Sequence, residues 1–101
     1  MKKAKYFTIE KYWCDELVEI RKKITDGEII TFNKRKYGIH KNKVFNRYVI
    51  TDIITGRTVT SVENKENVLP TLNNLSNKID EIITTNEYQT YIKDLQNAKL
   101  L

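Results

Sequence analysis

The chain has 101 residues, the length of one ordinary domain, and its content of 40% hydrophobic and 31% charged residues is typical of globular proteins. One cysteine, Cys14, excludes an internal disulfide bond, and one cysteine with one histidine excludes a zinc cage. No apolar stretch approaches the roughly 20 residues that span a bilayer. We therefore expect a single domain over residues 1–101 that works in the cytoplasm, without a cofactor and away from membranes.

The charge is unevenly distributed along the chain. Residues 1–60 carry a net charge of +7 and residues 61–101 a net charge of −2, which gives the total of +5. A basic half predicts an acidic partner and makes no statement about the fold. Lys, Asn, Ile and Tyr account for 43 of the 101 residues and are all encoded by AT-rich codons, which indicates an AT-rich bacterial or phage genome. We expect a protein of a phage or mobile element.

Apolar residues recur at helical spacing in the first quarter of the chain. They are Ile9, Trp13, Leu17, Ile20 and Ile24. Thr8 offers a side-chain oxygen to cap the start of a helix, and Asp26-Gly27 offers a left-handed stop. The pattern predicts an amphipathic helix over residues 9–25, with Cys14 buried as a small hydrophobic side chain.

From residue 28 to residue 62 the period changes to two, which is typical of strands. The predicted strands cover residues 29–32, 36–40, 47–52 and 57–62. Asn33-Lys34 and residues 41–43 are predicted turns. The loop from Asp52 to Arg57 is a predicted hairpin connection, in which Asp52 bonds to turn amides and Gly56 takes a positive φ. Connections this short allow only an antiparallel meander.

The last third of the chain is predicted to be helical. Pro70 suits an early helical position, and apolar residues follow at helical spacing up to Ile83. The phase slips at residues 84–86, which predicts either two helices or one long bent helix. The predicted fold class is therefore α+β: an N-terminal helix, a four-stranded antiparallel β-meander and two C-terminal helices packed on one face of the sheet.

The most informative feature is a basic hairpin. The 23 residues between Glu28 and Asp52 contain no acid and six Lys or Arg residues, with Tyr37, Phe45 and Tyr48 between them. Such a ribbon fits the major groove, where cations neutralise phosphates, Asn or Arg reads bases and aromatic rings stack on exposed bases. The candidate binding residues are Lys34, Arg35, Lys36, Tyr37, Lys41, Asn42, Lys43, Asn46 and Arg47.

The leading hypothesis is a small non-enzymatic protein that binds nucleic acid, or a nucleoprotein, through this hairpin. Strands followed by a helix, with a basic first hairpin, resemble the arrangement in the DNA-binding domains of phage-type integrases. That likeness is architectural and rests on no shared motif. The structural alternative is a sheet edge protected by lysines, with Tyr37 and Tyr48 in the core.

Two other functions stay open at this point. The chain is alternatively an inhibitor or adaptor of the anti-defence type, similar in kind to anti-CRISPR proteins, that binds a host enzyme with the same hairpin. A third reading is a Mg²⁺-dependent nuclease, since Asp52 followed by Glu63 and Lys65 resembles the acidic pattern of restriction-type nucleases. The apolar face of the C-terminal helix is a candidate homodimer surface. Its residues are Tyr88, Tyr91, Ile92 and Leu95.

Overall fold

A computed structural model describes residues 2–13 and 16–97 of the chain. The elements are β1 (Lys2–Trp13), β2 (Leu17–Phe32), β3 (Arg35–Asn42), β4 (Arg47–Asp52), β5 (Thr58–Val62), a 3₁₀ turn (Lys65–Asn67), α1 (Val68–Ile83) and α2 (Asn86–Asn97). The strands form one antiparallel sheet in the order β1-β2-β3-β4-β5. The α+β class and the antiparallel meander are confirmed, but the sheet has five strands where the sequence predicted four.

The predicted helix over residues 9–25 is wrong. β1 and β2 pair from Lys2–Ile29 to Trp13–Leu17, so the region is a long hairpin. In this register Ile9 faces Arg21 across the strands and lies on the opposite face from Ile24. The apolar residues at helical spacing therefore do not form one stripe. Aromatic and β-branched residues make up half of each segment, and pairing with a partner strand decides the outcome. Cys14, which we placed in the helix, lies outside the described residues.

The predicted helix stop at Asp26-Gly27 is also wrong, because Gly27 lies within β2. Its backbone does not adopt a positive φ; among the described glycines only Gly56 does, at 76°. The absence of a side chain at Gly27 instead makes room for the ring of Tyr6, which lies against it. Glycine within a strand often marks such a close approach.

The main core lies between the sheet and α1. Its buried residues are Tyr37, Ile39, Ile50, Val62, Val68 and Leu72. The register places Ile39 opposite Ile50 and Tyr37 opposite Asp52, so all four side chains lie on the face of the sheet that packs against α1, here called the helix face. Tyr37 and Ile39 share this face, as the period of two predicted.

Two of the three predicted turns are confirmed, whereas the turn predicted at residues 41–43 lies at residues 43–46, because β3 continues to Asn42. Asn33 and Lys34 connect β2 to β3 with φ values of 49° and 64°. In the β4–β5 loop, Oδ1 of Asp52 accepts a hydrogen bond from the amide of Ile54 at 3.3 Å, and Gly56 has a positive φ. After Val62 the chain leaves the sheet and leads through the 3₁₀ turn into α1.

The β1–β2 hairpin also contacts the far side of the sheet. The amide of Ile9 donates a hydrogen bond to the carbonyl of Gly56 at 2.8 Å, and Oγ1 of Thr8 donates to the same oxygen at 3.1 Å. β1 is therefore tied to the β4–β5 loop as well as to β2. None of the described helices is long and apolar enough to cross a membrane.

Candidate functional site

The turn between β3 and β4 presents two large apolar side chains to solvent. Val44 is 86% exposed and Phe45 is 73% exposed. The turn is built by Asn42, whose Oδ1 accepts hydrogen bonds from the amides of Val44 at 3.0 Å and of Phe45 at 3.2 Å. Asn46 then takes a positive φ of 54° before β4 begins. We call residues 41–47 the hairpin tip.

Three cations flank these apolar side chains along the chain, at positions 41, 43 and 47. Nζ of Lys41 lies 5.8 Å from the ring centroid of Tyr48, and Lys43 is exposed. Arg47 is held to β5, where Nε donates to Oγ of Ser61 and Nη2 to its carbonyl oxygen, each at 2.9 Å. Arg47 also pairs with the exposed carboxylate of Glu63 at 3.7 Å. The hairpin tip therefore has two exposed apolar side chains next to three basic ones. We call Lys41, Lys43 and Arg47 the basic collar.

The structure does not bring the nine predicted binding residues onto one surface. Five belong to the hairpin tip: Lys41, Asn42, Lys43, Asn46 and Arg47. Lys34 lies in the β2–β3 turn, at the opposite end of β3. Lys36 is exposed on the face away from α1, whereas Arg35 and Tyr37 point to the helix face. Tyr37 is only 2% exposed and Tyr48 is half-buried. The alternative is therefore confirmed for Tyr37, but the sheet edge that it assumed is wrong, because β3 and β4 are interior strands.

Arg35 takes part in a polar cluster with Asp52 and Tyr88. Its Nη2 donates to both carboxylate oxygens of Asp52 at 3.0 Å and to the hydroxyl of Tyr88 at 2.6 Å. Tyr88 in turn donates to Oδ2 of Asp52 at 2.7 Å, and Thr55 donates to the same oxygen at 3.1 Å. The cluster attaches α2 to the sheet and neutralises Arg35. Arg35 is therefore not available to a phosphate.

Burial governs the ionisation of this cluster. Burial and the hydrogen bond to Asp52 raise the pKa of Tyr88 to about 12. Burial alone would lower the pKa of Arg35, but the nearby Asp52 carboxylate and Tyr88 raise it above its usual value. Both groups keep their protons over the physiological range, so the cluster is an ion pair with a neutral phenol.

A cavity of about 200 Å³ adjoins the cluster on the helix face. Its walls are apolar and come from Val59 on β5 and from Ile79, Ile82 and Ile83 on α1. The charged residues of its lining are two arginines, Arg35 and Arg57, and one aspartate, Asp52. No pattern in the sequence predicted this cavity, because its walls come from strands and a helix that are distant along the chain.

The nuclease pattern does not assemble. Asp52 ends β4 and pairs with Tyr37, whereas Glu63 follows Val62, which pairs with Tyr48 near the start of β4. The two carboxylates thus belong to opposite ends of the strand. Lys65 bonds to Glu28, and Asp52 is bound to Arg35. Among the described residues no group of three or more His, Cys, Asp or Glu side chains is placed to hold a metal ion.

The candidate dimer face is only partly described. Tyr88 turns inward to Arg35 and Asp52, and Ile92 is half-buried. The side chains of Tyr91 and Leu95 lie outside the described part of the chain. Dimerisation through this helix remains a prediction.

Sequence reasoning had marked Phe45 as one of several aromatic residues but had not singled out Val44. The available signal was local: two apolar residues stand in a turn flanked by Asn42 and Asn46, where polar residues are usual. Comparison of the chain with protein-family models, with curated proteins and with solved structures gave no match.

Proposed function

We propose that this chain is a non-enzymatic nucleic-acid-binding protein and that the hairpin tip is its contact surface. The observation that carries the proposal is the exposure of Val44 and Phe45, at 86% and 73%, within a collar of cations. Exposed apolar side chains of this size at a turn are costly in water unless a partner covers them. An anionic partner that also offers apolar surfaces between its charges is a nucleic acid.

Each part of the hairpin tip has a chemical role in this proposal. Lys41, Lys43 and Arg47 neutralise phosphates, and Phe45 stacks on an exposed base or enters a base step as an apolar wedge. The side-chain amide of Asn46 is the candidate for hydrogen bonding to a base edge. Glu63, from the acidic C-terminal third, pairs with Arg47 at 3.7 Å, but it is 79% exposed, so a phosphate can replace it at small cost.

The proposal is narrower than the hypothesis drawn from the sequence. Arg35 is bound to Asp52, and Tyr37 is buried in the core, so neither belongs to the contact surface. Lys34 and Lys36 are exposed but lie away from the hairpin tip. Three cations remain. Binding through three phosphates gives a slope of log K against log salt of about −2.7 on duplex DNA, about half of the slope for six contacts.

The test is a salt titration of the purified protein with labelled duplex DNA, single-stranded DNA and RNA. We expect the variant Lys41→Glu/Lys43→Glu to bind weakly and with a flatter salt dependence. Phe45→Ala should weaken binding without changing the salt slope, because it removes stacking and leaves the phosphate contacts intact. Stacking on one base contributes about 1–3 kcal/mol, so the loss is about fivefold or more.

The matched control is Lys34→Glu/Lys36→Glu, which makes the same change of charge at the opposite end of β3. This variant should keep most of the binding and the salt slope. Equal losses in the two charge-reversed variants would indicate a non-specific effect of net charge and would contradict the proposal. So would a wild-type protein that binds none of the three nucleic acids at low salt.

The second candidate is a protein-binding inhibitor that inserts the same hairpin tip into a cleft of a host enzyme. Val44 favours it, because an aliphatic side chain stacks poorly on bases but is stabilised by burial in an apolar pocket. An acidic cleft on the enzyme would supply the complementary negative charge. In this case the purified protein is inert toward nucleic acids and gains a partner only when that enzyme is present. Either function suits a protein of phage or mobile-element origin.

A further inference from the structure

The cavity on the helix face is separate from the proposed nucleic-acid contact. It lies beside Asp52 at the end of β4, whereas the hairpin tip meets β4 at Arg47. The two are five residues apart along the strand, or about 17 Å at roughly 3.4 Å per residue. A ligand in the cavity therefore need not touch the hairpin tip.

The size and the apolar walls of the cavity determine which apolar part of a ligand it can hold. Apolar cavities of about 150 Å³ are large enough to bind a benzene ring. This one measures about 200 Å³ and is lined on α1 by three isoleucines, Ile79, Ile82 and Ile83, with Val59 opposite on β5. It therefore fits one aromatic ring together with a small substituent.

The charged side chains that line the cavity determine which polar group a bound ring would carry. Asp52 is bound by Nη2 of Arg35 at 3.0 Å, so these two opposite charges satisfy each other. Arg57 is the second cation of the lining, and its Nη2 pairs with Glu19 at 3.3 Å. Both side chains of that pair are more than a third exposed, at 39% and 36%. Water screens such a pair, so a carboxylate can exchange for Glu19, or share Arg57 with it, at small cost.

We propose that this cavity binds a small aromatic monocarboxylate, with its ring between Val59 and the α1 isoleucines and its carboxylate on Arg57. A ligand of this size binds with a dissociation constant of about 0.1–10 mM. Thr58, which also lines the cavity beside Arg57, can donate a further hydrogen bond to the carboxylate. Arg57 is already balanced by Glu19, so the carboxylate of the ligand takes the place of Glu19 and leaves the charge around Arg57 unchanged.

The experiment is an NMR titration of the whole protein with phenylacetate and, separately, with the neutral phenylacetamide. We expect saturable shifts of resonances from Val59, Ile79 and Ile83 with phenylacetate. The amide should bind about tenfold or more weakly, because it cannot form the charge-assisted hydrogen bond to Arg57. Arg57→Gln should bring the affinity for phenylacetate down to that for the amide.

Two variants on α1 make the test specific to the cavity. Ile82 and Leu69 are about equally exposed, at 48% and 47%, but only Ile82 lines the cavity. Ile82→Trp should fill the cavity and abolish the shifts, and Leu69→Trp should leave them unchanged. Because both positions are exposed, neither variant disturbs the buried core.

Three results would overturn the proposal: no saturable shifts with phenylacetate, equal affinity for acid and amide, or equal loss in the two tryptophan variants. Nucleic-acid binding is measured on the same samples. The cavity proposal and the proposed function can thus fail independently of each other.

Discussion

The ring of Tyr6 lies against Gly27 so closely that a Cβ atom at position 27 would be 2.3 Å from Cε1 of Tyr6. Gly38 on β3 meets the same ring, and a Cβ there would be 2.4 Å from Cζ. Because neither glycine has a side chain, the ring of Tyr6 packs directly against both backbones and is only 6% exposed. From this position its hydroxyl reaches Nδ1 of His40 at 3.1 Å. One aromatic side chain thereby joins β1, β2 and β3.

The first prediction concerns this contact. Gly27→Ala should lower the free energy of unfolding by about 1–3 kcal/mol, the usual cost of overpacking, measured by urea denaturation. In a Tyr6→Ala background the same substitution should cost little, because the ring that it meets is gone. Such coupling between neighbours is what a double-mutant cycle measures. An equal cost in both backgrounds would contradict the contact and the β1–β2 hairpin with it.

This contact explains why the N-terminal region could not be predicted correctly. The spacing of Ile9, Ile20 and Ile24 is compatible with a helix, and the local sequence cannot express the pairing of β1 with β2. Tyr6 and Gly38 are 32 residues apart, so their fit is visible only once the strands are paired. Strand preference depends on such partners more than helix preference does.

Features with a local cause were predictable. The turn at Asn33-Lys34 and the loop closed by Asp52 follow from residues that are close in sequence, and both are present. The candidate site was predicted in part, since its cations and Phe45 lie where the basic hairpin was expected. Arg35 does not join the hairpin tip, because the alternation of β3 directs it, with Tyr37, to the helix face. There Asp52, 17 residues away, binds it.

The second prediction tests the Arg35–Asp52 pair. The two side chains are only 18% and 10% exposed. Arg35→Met should lower the free energy of unfolding by about 3–5 kcal/mol, because it leaves a buried carboxylate without its cation. Thermal and chemical denaturation measure the loss. The additional change Asp52→Asn should recover part of it by removing the unpaired charge.

The control for this prediction is Glu63→Gln. It breaks an ion pair with Arg47 in which the glutamate is 79% exposed, so its effect should stay within about 1 kcal/mol. If Arg35→Met were as mild as Glu63→Gln, the Arg35–Asp52 pair would have no structural role. Arg35 would then be available for a binding function after all.

The third prediction is a pH dependence that originates from Tyr88. Its pKa in the folded protein is about 12, against the ordinary value of 10.0. The folded state therefore holds the phenol proton more tightly than the unfolded chain does. The stabilisation from Tyr88 is complete below pH 10 and is lost as the pH rises from 10 through 12. Tyr88→Phe should accordingly lower the stability at pH 7 by about 1–2 kcal/mol, since hydrogen bonds to charged groups are lost.

The measurement compares the wild type and Tyr88→Phe by urea denaturation at a series of pH values from 7 to 11.5. The difference in stability between the two proteins should be constant up to about pH 10 and should shrink above it. Tyr48→Phe serves as the control, because the described residues offer no hydrogen-bond partner to the Tyr48 hydroxyl. A constant difference up to the highest pH would show that Tyr88 does not bond to Asp52 and Arg35 as described.

The fourth prediction is a stabilising substitution in the β2–β3 turn. Asn33 and Lys34 have φ values of 49° and 64°, the left-handed conformation of a two-residue type I′ hairpin turn. Asn-Gly is the favoured sequence for such a turn. A lysine is destabilised in this conformation because its Cβ atom comes too close to the backbone carbonyl oxygen. Lys34→Gly should therefore raise the free energy of unfolding by about 0.5–1 kcal/mol and the melting temperature by about 2–8 °C.

Lys36→Gly, two residues into β3, should instead lower the stability by a similar amount, because glycine weakens a strand interior. Destabilisation by Lys34→Gly would mean that the turn does not have this geometry. Because residue 34 is remote from the hairpin tip, the stabilised variant should bind nucleic acid as the wild type does, which makes it a suitable background for the charge-reversed variants.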